Sequence, residues 1–146
     1  LQRAGLNAFN YQTNQQTVFL HDENNPYSIA TNDVTDLAVA ADGNLWVATY
    51  WRGIEYLDKK TGKFTHYNQQ TVPGLPSNTV WTLVDDHKGN LYIGHAQHGM
   101  SILSIKTKKI KNFTYNKLTI QQYQAIMSNA YSKTILEIYG LVQKKD

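Results

Sequence analysis

Cysteine is absent from this chain of 146 residues, and charged residues are scarce at 17%. Without cysteine, neither a disulfide nor a thiolate-bound metal can form. The sequence also lacks an apolar run of membrane-spanning length and a recognisable secretory signal. We therefore predict no membrane contact within this chain. Apolar residues make up 41%, which is typical of a folded domain with a hydrophobic core and not of a disordered segment.

Basic charge is in small excess, and part of that excess is local. The formal net charge is +3, and one short run contains Lys106, Lys108, Lys109 and Lys111. Basic residues are not gathered on one face elsewhere in the chain, as a nucleic-acid-binding surface would require. We interpret the lysine run as a solvated turn and strand edge, and we predict no nucleic-acid partner.

An internal repeat dominates the sequence. The segment DGNLWV at 42–47 corresponds to KGNLYI at 88–93, an offset of 46 residues. Three further pairs of segments keep this offset: 31–34 with 77–80, 53–54 with 99–100, and 61–64 with 107–110. Residues 5–9 also resemble 53–57, at an offset of 48. A repeat of this length is typical of an array of small supersecondary units.

Turn signals divide each repeat into four short strands, and the ten tyrosines and three tryptophans favour strands. The predicted strands of the first repeat are 34–39, 45–49, 54–57 and 64–67, and those of the second are 80–85, 91–94, 100–105 and 110–115. Gly53 and Gly99 open the third strand of each repeat. We expect a side chain at either position to obstruct the neighbouring backbone.

Four strands in a repeat of about 40–50 residues predict the blades of a β-propeller. Each blade packs between two others, so it is apolar on both faces. We predict an all-β fold, a β-propeller fragment of four-stranded antiparallel blades. Its segments are the end of a preceding blade with a crossing segment (1–27), one blade (28–73), a second blade (74–116), and a degenerate or frame-shifted start of a further blade (117–146).

The last segment shows no third copy of the repeat motif. When residues 133–146 are back-translated with AT-rich codons and read from the third base, the result is NNIGNIWIGTKKG. That string contains the missing motif, so we predict a shifted reading frame in this segment, whose side chains would then carry no function. The alternative is an unrelated natural extension, with a helix around residues 121–139.

Catalytic motifs are missing from the sequence. It contains no G-x-S-x-G, no phosphate-binding loop and no paired carboxylates, so we predict no catalytic residues and no cofactor. His95 and His98 form H-x-x-H in the predicted loop between the second and third strands, but no third ligand accompanies them, and we predict no metal site. We interpret residues 85–87 (DDH) as solvated residues of a hairpin turn.

Tyr50, Trp51 and Arg52 are the candidate ligand-binding residues of the first repeat. In a propeller, the loop between the second and third strands shares one face with the segments that cross between blades. An aromatic pair beside an arginine suits a sugar ring or a carboxylate. Gln97 and His98 occupy the matching loop of the next repeat, so we predict a ligand site at these five residues. The alternative is that Trp51 packs against the neighbouring blade.

The repeats resemble those of a known family. The stretches TNDVTDLAVAADGNLWVATYWRGIEYLDKKTGKFTHY and SNTVWTLVDDHKGNLYIGHAQHGMSILSIKTKKIKNF are similar to the two-component regulator propeller repeat of bacterial hybrid two-component sensors. The resemblance covers residues 1–116. Three residues depart from the family's usual motif: Ala48 replaces Gly, Tyr92 replaces Trp, and His95 replaces Thr. Each departure affects a single packing position.

The resemblance implies a periplasmic sensor domain that precedes a membrane span and a histidine kinase and responds to breakdown products of complex carbohydrates. It favours a non-catalytic sensing or interaction module with an oligosaccharide as ligand. The alternative is a fragment of a secreted propeller enzyme, a lyase or hydrolase acting on a glycan or macrocycle. Because two blades alone expose apolar faces, we also expect self-association or further blades as partners.

Overall fold

The computed structural model describes residues 4–114, together with Gln121 and Ala125. Residues 4–114 form ten strands and contain no helix. In chain order the strands are β1 (Leu6–Asn10), β2 (Gln15–Phe19), β3 (Val34–Val39), β4 (Leu45–Thr49), β5 (Ile54–Asp58), β6 (Lys63–Tyr67), β7 (Val80–Asp85), β8 (Asn90–His95), β9 (Gly99–Ser104) and β10 (Ile110–Phe113). Across the described residues, we find no helix with the length and apolarity that a membrane crossing needs.

Two antiparallel sheets of four strands contain most of this structure. Strands β3 to β6 form one sheet in sequence order, and β7 to β10 form the other. The predicted all-β fold of four-stranded blades is confirmed, and we call the two sheets blade 1 and blade 2. Three predicted strands match the observed bounds, and most others shift by one residue, as is usual where strand ends fray.

The predicted segment boundaries are not decided by these sheets. Blade 1 lies inside the predicted segment 28–73 and blade 2 inside 74–116, but the crossing residues between them belong to neither sheet. The boundaries therefore stay predictions. The interpretation of 117–146 as frame-shifted sequence falls outside the described residues, apart from Gln121 and Ala125, both of which have helical backbone.

The first hairpin, β1 with β2, is a two-stranded antiparallel sheet that begins like the last two strands of each blade. Gly5 stands directly before β1 with φ +64°, as Gly53 stands before β5 with φ +89° and Gly99 at the start of β9 with φ +72°. A Cβ at these three positions would lie 2.4, 2.4 and 2.2 Å from a carbonyl oxygen of the adjacent strand. The expected obstruction at Gly53 and Gly99 is confirmed, and Gly5 shares it; that the hairpin is the end of a preceding blade stays a prediction.

Apolar side chains fill the spaces between neighbouring blades. Alternate residues along each strand face opposite neighbours, so blade 1 is buried on both sides. The cluster between the first hairpin and blade 1 comprises Leu6, Ile29, Val47, Leu57 and Phe64. The cluster between blades 1 and 2 is larger and comprises Ala40, Trp46, Ala48, Ile54, Val72, Leu75, Val80, Leu83, Leu91, Ile93 and Leu103. The two blades therefore share one continuous core.

The innermost strands of the two blades, β3 and β7, run beside each other and are joined by polar contacts. The Thr35 hydroxyl donates to the carbonyl oxygen of Val80 at 2.6 Å. One carboxylate oxygen of Asp36 accepts from the Thr82 hydroxyl at 2.7 Å and from the backbone N–H of Leu83 at 2.9 Å. These bonds hold the blades in register at their inner edge.

Candidate functional site

The loops that carry the predicted ligand residues lie on one face of the blades, together with the segments that cross between blades. The backbone N–H of residue 50 donates to the carbonyl oxygen of residue 33 at 3.0 Å, and that of residue 53 donates to the carbonyl oxygen of residue 78 at 2.8 Å. In blade 2, the N–H of residue 96 donates to the carbonyl oxygen of residue 79 at 3.2 Å. Each bond ties a loop between second and third strands to a crossing segment. We call this face, formed by residues 20–33, 50–53, 68–79 and 96–98, the crossing face.

A cluster of three aromatic rings, two of them exposed, spans both blades at the edge of the crossing face. The Tyr50 ring lies edge-on to Trp51 at 4.3 Å and edge-on to Trp81 at 5.7 Å between ring centroids. Trp51 is 56% exposed and Trp81 53% exposed. Trp81 comes from β7 of blade 2, at a point where the pairing register with β8 shifts. We call these three rings the aromatic cluster.

Trp81 is a candidate ligand residue that the sequence pattern did not reveal. It lies 46 residues after Thr35 in the inner strand, where an apolar residue is typical of the core. The structure supplies the reason, because in both blades the pairing register shifts at this position, between Val34 and Asp36 and between Val80 and Thr82. A bulge of this kind re-aims a side chain, and here it leaves the indole open to solvent.

Arg52 faces a different part of the crossing face. It lines a polar cleft of about 430 Å³, together with the crossing residues before blade 1 and the end of β6. The other lining residues are His21, Asp22, Glu23, Asn25, Pro26, Ser28, Ala30, His66 and Asn68. The predicted site of blade 1 is therefore divided, with two aromatic residues in the aromatic cluster and the arginine at the cleft.

Gln97 and His98 are exposed in the loop between β8 and β9. Gln97 has φ +65°, and Nδ1 of His98 lies 2.8 Å from the carbonyl oxygen of Ala96. Within residues 4–114, no hydrogen bond or ring contact joins either of them to the loop of blade 1. Their role as ligand residues stays a prediction.

The interpretation of His95 as a loop histidine is wrong. His95 is the last residue of β8 and is only 7% exposed. Its Nε2 lies 2.9 Å from the Ser101 hydroxyl, and its ring also interacts with the Ser77 backbone. Burial, together with the charge of nearby His98, lowers the His95 pKa to about 4. A neutral imidazole is therefore packed inside blade 2.

A buried carboxylate–histidine pair, which the sequence pattern also did not reveal, lies in blade 1. Glu55 of β5 is completely buried and lies directly opposite His66 of β6. Its Oε2 is hydrogen-bonded to Nδ1 of His66, and its Oε1 has no partner. Nε2 of His66 lies 2.9 Å from the carbonyl oxygen of Pro26 in the crossing segment. Periodicity could not reveal this pair, because Glu55 occupies an inward position of a strand whose other inward positions are apolar.

The geometry assigns the protons of this pair. A carbonyl oxygen can only accept, so Nε2 of His66 carries a hydrogen. One further proton is then shared between Nδ1 and the Glu55 carboxyl. Burial raises the Glu55 pKa to about 7 against the opposing charge of His66. Burial also opposes protonation of His66, but the Pro26 carbonyl and the charge and hydrogen bond of Glu55 outweigh it and raise the His66 pKa.

Blade 2 contains a neutral version of the same arrangement. Ser101 and Asn112 stand 46 residues after Glu55 and His66 and also lie opposite each other. The Ser101 hydroxyl donates to the Asn112 amide oxygen at 2.7 Å, and the amide nitrogen donates to the carbonyl oxygen of Gly74 at 2.8 Å. In both blades this pair ties the outer strand to a crossing segment, which indicates a structural role.

The opposite side of the blades, which carries the hairpin turns, contains a cavity of about 420 Å³ between blades 1 and 2. Trp46, Tyr56 and Tyr67 line it from blade 1, with Asp42 and Asp85. The interpretation of Asp85 as a solvated turn residue is wrong: it ends β7 and is 8% exposed. The next two residues of that motif, at 86 and 87, are more exposed.

Metal-ligating side chains are not gathered in the described part of the chain. No group of three or more His, Cys, Asp or Glu side chains there is arranged to hold a metal ion. Nε2 of His95 contacts Ser101 inside blade 2, and Nδ1 of His98 contacts the backbone carbonyl of Ala96.

The fold and the repeated blades define the chain as part of a β-propeller. The family model of the two component regulator propeller matches residues 28–51 and 74–97, which are the crossing segment and first two strands of each blade. Both blades thus match the two component regulator propeller model, in agreement with the resemblance of their sequence motif.

Solved structures of extracellular domains share this architecture. The extracellular domain of a protein described as the hybrid two component system BT3049 from B. thetaiotaomicron is 52% identical, with a TM-score of 0.74 over 78% of this chain. Two structures of the extracellular domain of BT4673 from the same organism also match over 80% of this chain. The one described as a one component system is 21% identical, with a TM-score of 0.64. The one described as a hybrid two component system is 20% identical, with a TM-score of 0.65. At that identity the BT4673 domains support the fold alone.

The chain spans only a small part of these structures. It covers 16% of the BT3049 domain and 17% of each BT4673 domain. Among the curated proteins that were compared, none matches the chain.

Proposed function

We propose that the chain is a non-catalytic sensing module, part of the periplasmic propeller of a hybrid two-component system. The match at 52% identity to an extracellular domain of such a system supports this role and this location. The aromatic cluster on the crossing face is the single observation that supports ligand contact. Exposed tryptophans from two blades form a surface that no packing within residues 4–114 covers.

We propose an oligosaccharide, a breakdown product of a complex carbohydrate, as the ligand of the aromatic cluster. Aromatic faces pack against the apolar C–H faces of a sugar ring, and the Tyr50 hydroxyl can serve as a polar handle. Arg52 and the polar cleft beside it could contact an acidic substituent of a longer glycan. Gln97 and His98 would extend the site along the next loop of the same face.

Glycan binding by the purified chain tests this proposal. Intrinsic tryptophan fluorescence would be titrated with a panel of neutral and acidic oligosaccharides. Trp51→Ala and Trp81→Ala should each weaken binding about five- to tenfold, because each removes a stacking surface of about 1–1.5 kcal/mol. Tyr11→Ala is the matched control, since Tyr11 is 80% exposed on the first hairpin, outside the aromatic cluster.

Two results would contradict the proposed function. One is glycan binding that survives both tryptophan substitutions in chains whose thermal unfolding is unchanged. The other is release of new reducing or unsaturated ends from a glycan, which would favour the alternative of a lyase or hydrolase. Within the described residues, Glu55 and His66 are the carboxylate–histidine pair that such chemistry would use, but Nε2 of His66 is already bound to the Pro26 carbonyl.

A further inference from the structure

The cavity between the two blades on the turn side has features of a binding site that lies away from the aromatic cluster. Its volume is about 420 Å³. Three aromatic rings of blade 1 form its wall, with Trp46 at 4.7 Å from Tyr56 and 5.2 Å from Tyr67 between ring centroids. Because Asp85 and Gly89 contribute from blade 2, the cavity exists only where two blades meet.

Asp85 places a buried carboxylate in this cavity without a balancing cation. Its Oδ2 accepts a 3.0 Å hydrogen bond from Nε1 of Trp46, and its Oδ1 accepts the backbone N–H of His87 at 2.7 Å. Among residues 4–114, no lysine, arginine or histidine forms an ion pair with it. Each carboxylate oxygen can accept a further hydrogen bond, and buried charges in proteins are normally paired.

The aromatic wall already holds a cation of the chain itself. Nζ of Lys108 lies 3.9 Å from the centroid of the Tyr67 ring and donates to its hydroxyl at 2.6 Å. Aromatic faces attract ammonium groups through their quadrupole, most strongly where water is excluded. Lys106 also lines the cavity, but it is exposed, so water screens its charge more than that of Asp85.

We propose that this interblade cavity binds a small organic cation, an alkylammonium or quaternary ammonium group, between the Asp85 carboxylate and the aromatic wall. Asp42 stands on the same wall, but it is exposed and already accepts three hydrogen bonds from Asn44 and Tyr56, so water screens its charge more than that of Asp85. Asp85 therefore supplies the charge recognition, and Tyr56 and Tyr67 supply the π faces. Lys108 is an internal competitor for the Tyr67 face.

Heteronuclear NMR of the chain tests this site with choline as the probe. The indole N–H of Trp46 donates to Asp85, so its resonance reports on the cavity, and Trp51→Phe and Trp81→Phe assign the three indole signals. Choline should shift the Trp46 resonance in a saturable manner. Dimethylbutanol, the neutral isostere of choline with the same shape, should shift it much less at equal concentration.

Two substitutions should change the affinity in opposite directions. Asp85→Asn keeps an acceptor for Trp46 but removes the charge, and it should weaken choline binding roughly tenfold or more. Lys108→Gln removes the internal competitor and a positive charge, and it should strengthen binding a few-fold. The second variant keeps the test decisive if the first fails to fold, because unfolding cannot raise affinity.

Three outcomes would overturn the proposal. Equal shifts with choline and dimethylbutanol would show an apolar cavity that does not recognise charge. A Trp46 resonance that does not move with choline would show that no cation enters. Weaker choline binding in Lys108→Gln would show that Lys108 does not compete with a cation for the Tyr67 face. Loss of glycan binding at the aromatic cluster would leave this proposal untouched, since the two sites use different residues.

Discussion

Nε1 of Trp46 donates a 3.0 Å hydrogen bond to Oδ2 of Asp85 across the interface between the two blades. The donor lies in the second strand of blade 1 and the acceptor at the end of the first strand of blade 2. Both side chains are buried, at 1% and 8% exposure. A polar bond is thus placed beside the apolar core that the two blades share, where it helps to fix how one blade sits on the next.

Trp46→Phe should destabilise the chain by about 2–3 kcal/mol, because it removes the partner of a buried carboxylate oxygen. Urea unfolding, followed by circular dichroism, measures the change. Trp51→Phe is the matched control, since Trp51 is exposed on the crossing face, and it should cost less than about 0.5 kcal/mol. Similar unfolding midpoints for the two variants would show that the Trp46–Asp85 bond contributes little.

Gly53→Ala should cost more than about 2 kcal/mol, because its Cβ would lie 2.4 Å from the carbonyl oxygen of Tyr67 at a φ of +89°. Gly43→Ala is the control: its φ is +83°, but nothing lies within 4 Å of the added Cβ. In that variant the free energy of unfolding should fall by only about 1 kcal/mol, because of backbone strain at a positive φ. Thermal unfolding of both variants separates the steric effect from the strain, and equal losses would contradict the close approach at Gly53.

The Glu55–His66 pair should make the chain less stable as the pH rises. Both pKa values are raised by folding, so the folded chain binds more protons than the unfolded chain. For Glu55 the stabilising contribution is complete below pH 4.5 and is lost as the pH rises through about 7. For His66 the stabilising contribution is complete below pH 6.5, the ordinary pKa of histidine. It is lost at higher pH, as the pH passes the raised pKa of His66.

Glu55→Gln should flatten this dependence, because glutamine does not titrate and can still bond Nδ1 of His66. The measurement is the urea midpoint from pH 4.5 to about 7. Glu23→Gln removes an exposed carboxylate instead and should keep the wild-type slope. The buried pair would be excluded as the cause if Glu55→Gln retained the full slope, or if stability rose with pH in the unsubstituted chain.

Self-association is expected for the isolated chain. Phe9 and Val18 of the first hairpin are 63% and 48% exposed, and they lie on the side of the hairpin turned away from blade 1. Exposed apolar surface and an unpaired strand edge both favour contact with further blades or a second copy. Light scattering at micromolar concentration should show a mass above 16.6 kDa that Phe9→Lys and Val18→Lys reduce. A stable monomer would contradict this expectation.

Much of the fold could be predicted because it is encoded in local spacing. The period of 46 residues located the blades, and turn residues located the strands within about one residue. The role of Gly53 and Gly99 also follows from their position in the repeat, because a close backbone approach explains glycine at a strand opening. Such features depend on neighbours in the chain, and local sequence is sufficient to encode them.

The sequence by itself therefore determined the repeat, the blades, the strands and the family model that the repeats match. Only the tertiary structure decided what the side chains contact. Trp81 joins Tyr50 and Trp51 because a bulge re-aims it. Glu55 meets His66 across a strand pair, and Asp85 meets Trp46 across two blades. The physical reason is distance along the chain: these last two pairs are 11 and 39 residues apart, and their contacts depend on how strands pair and blades pack.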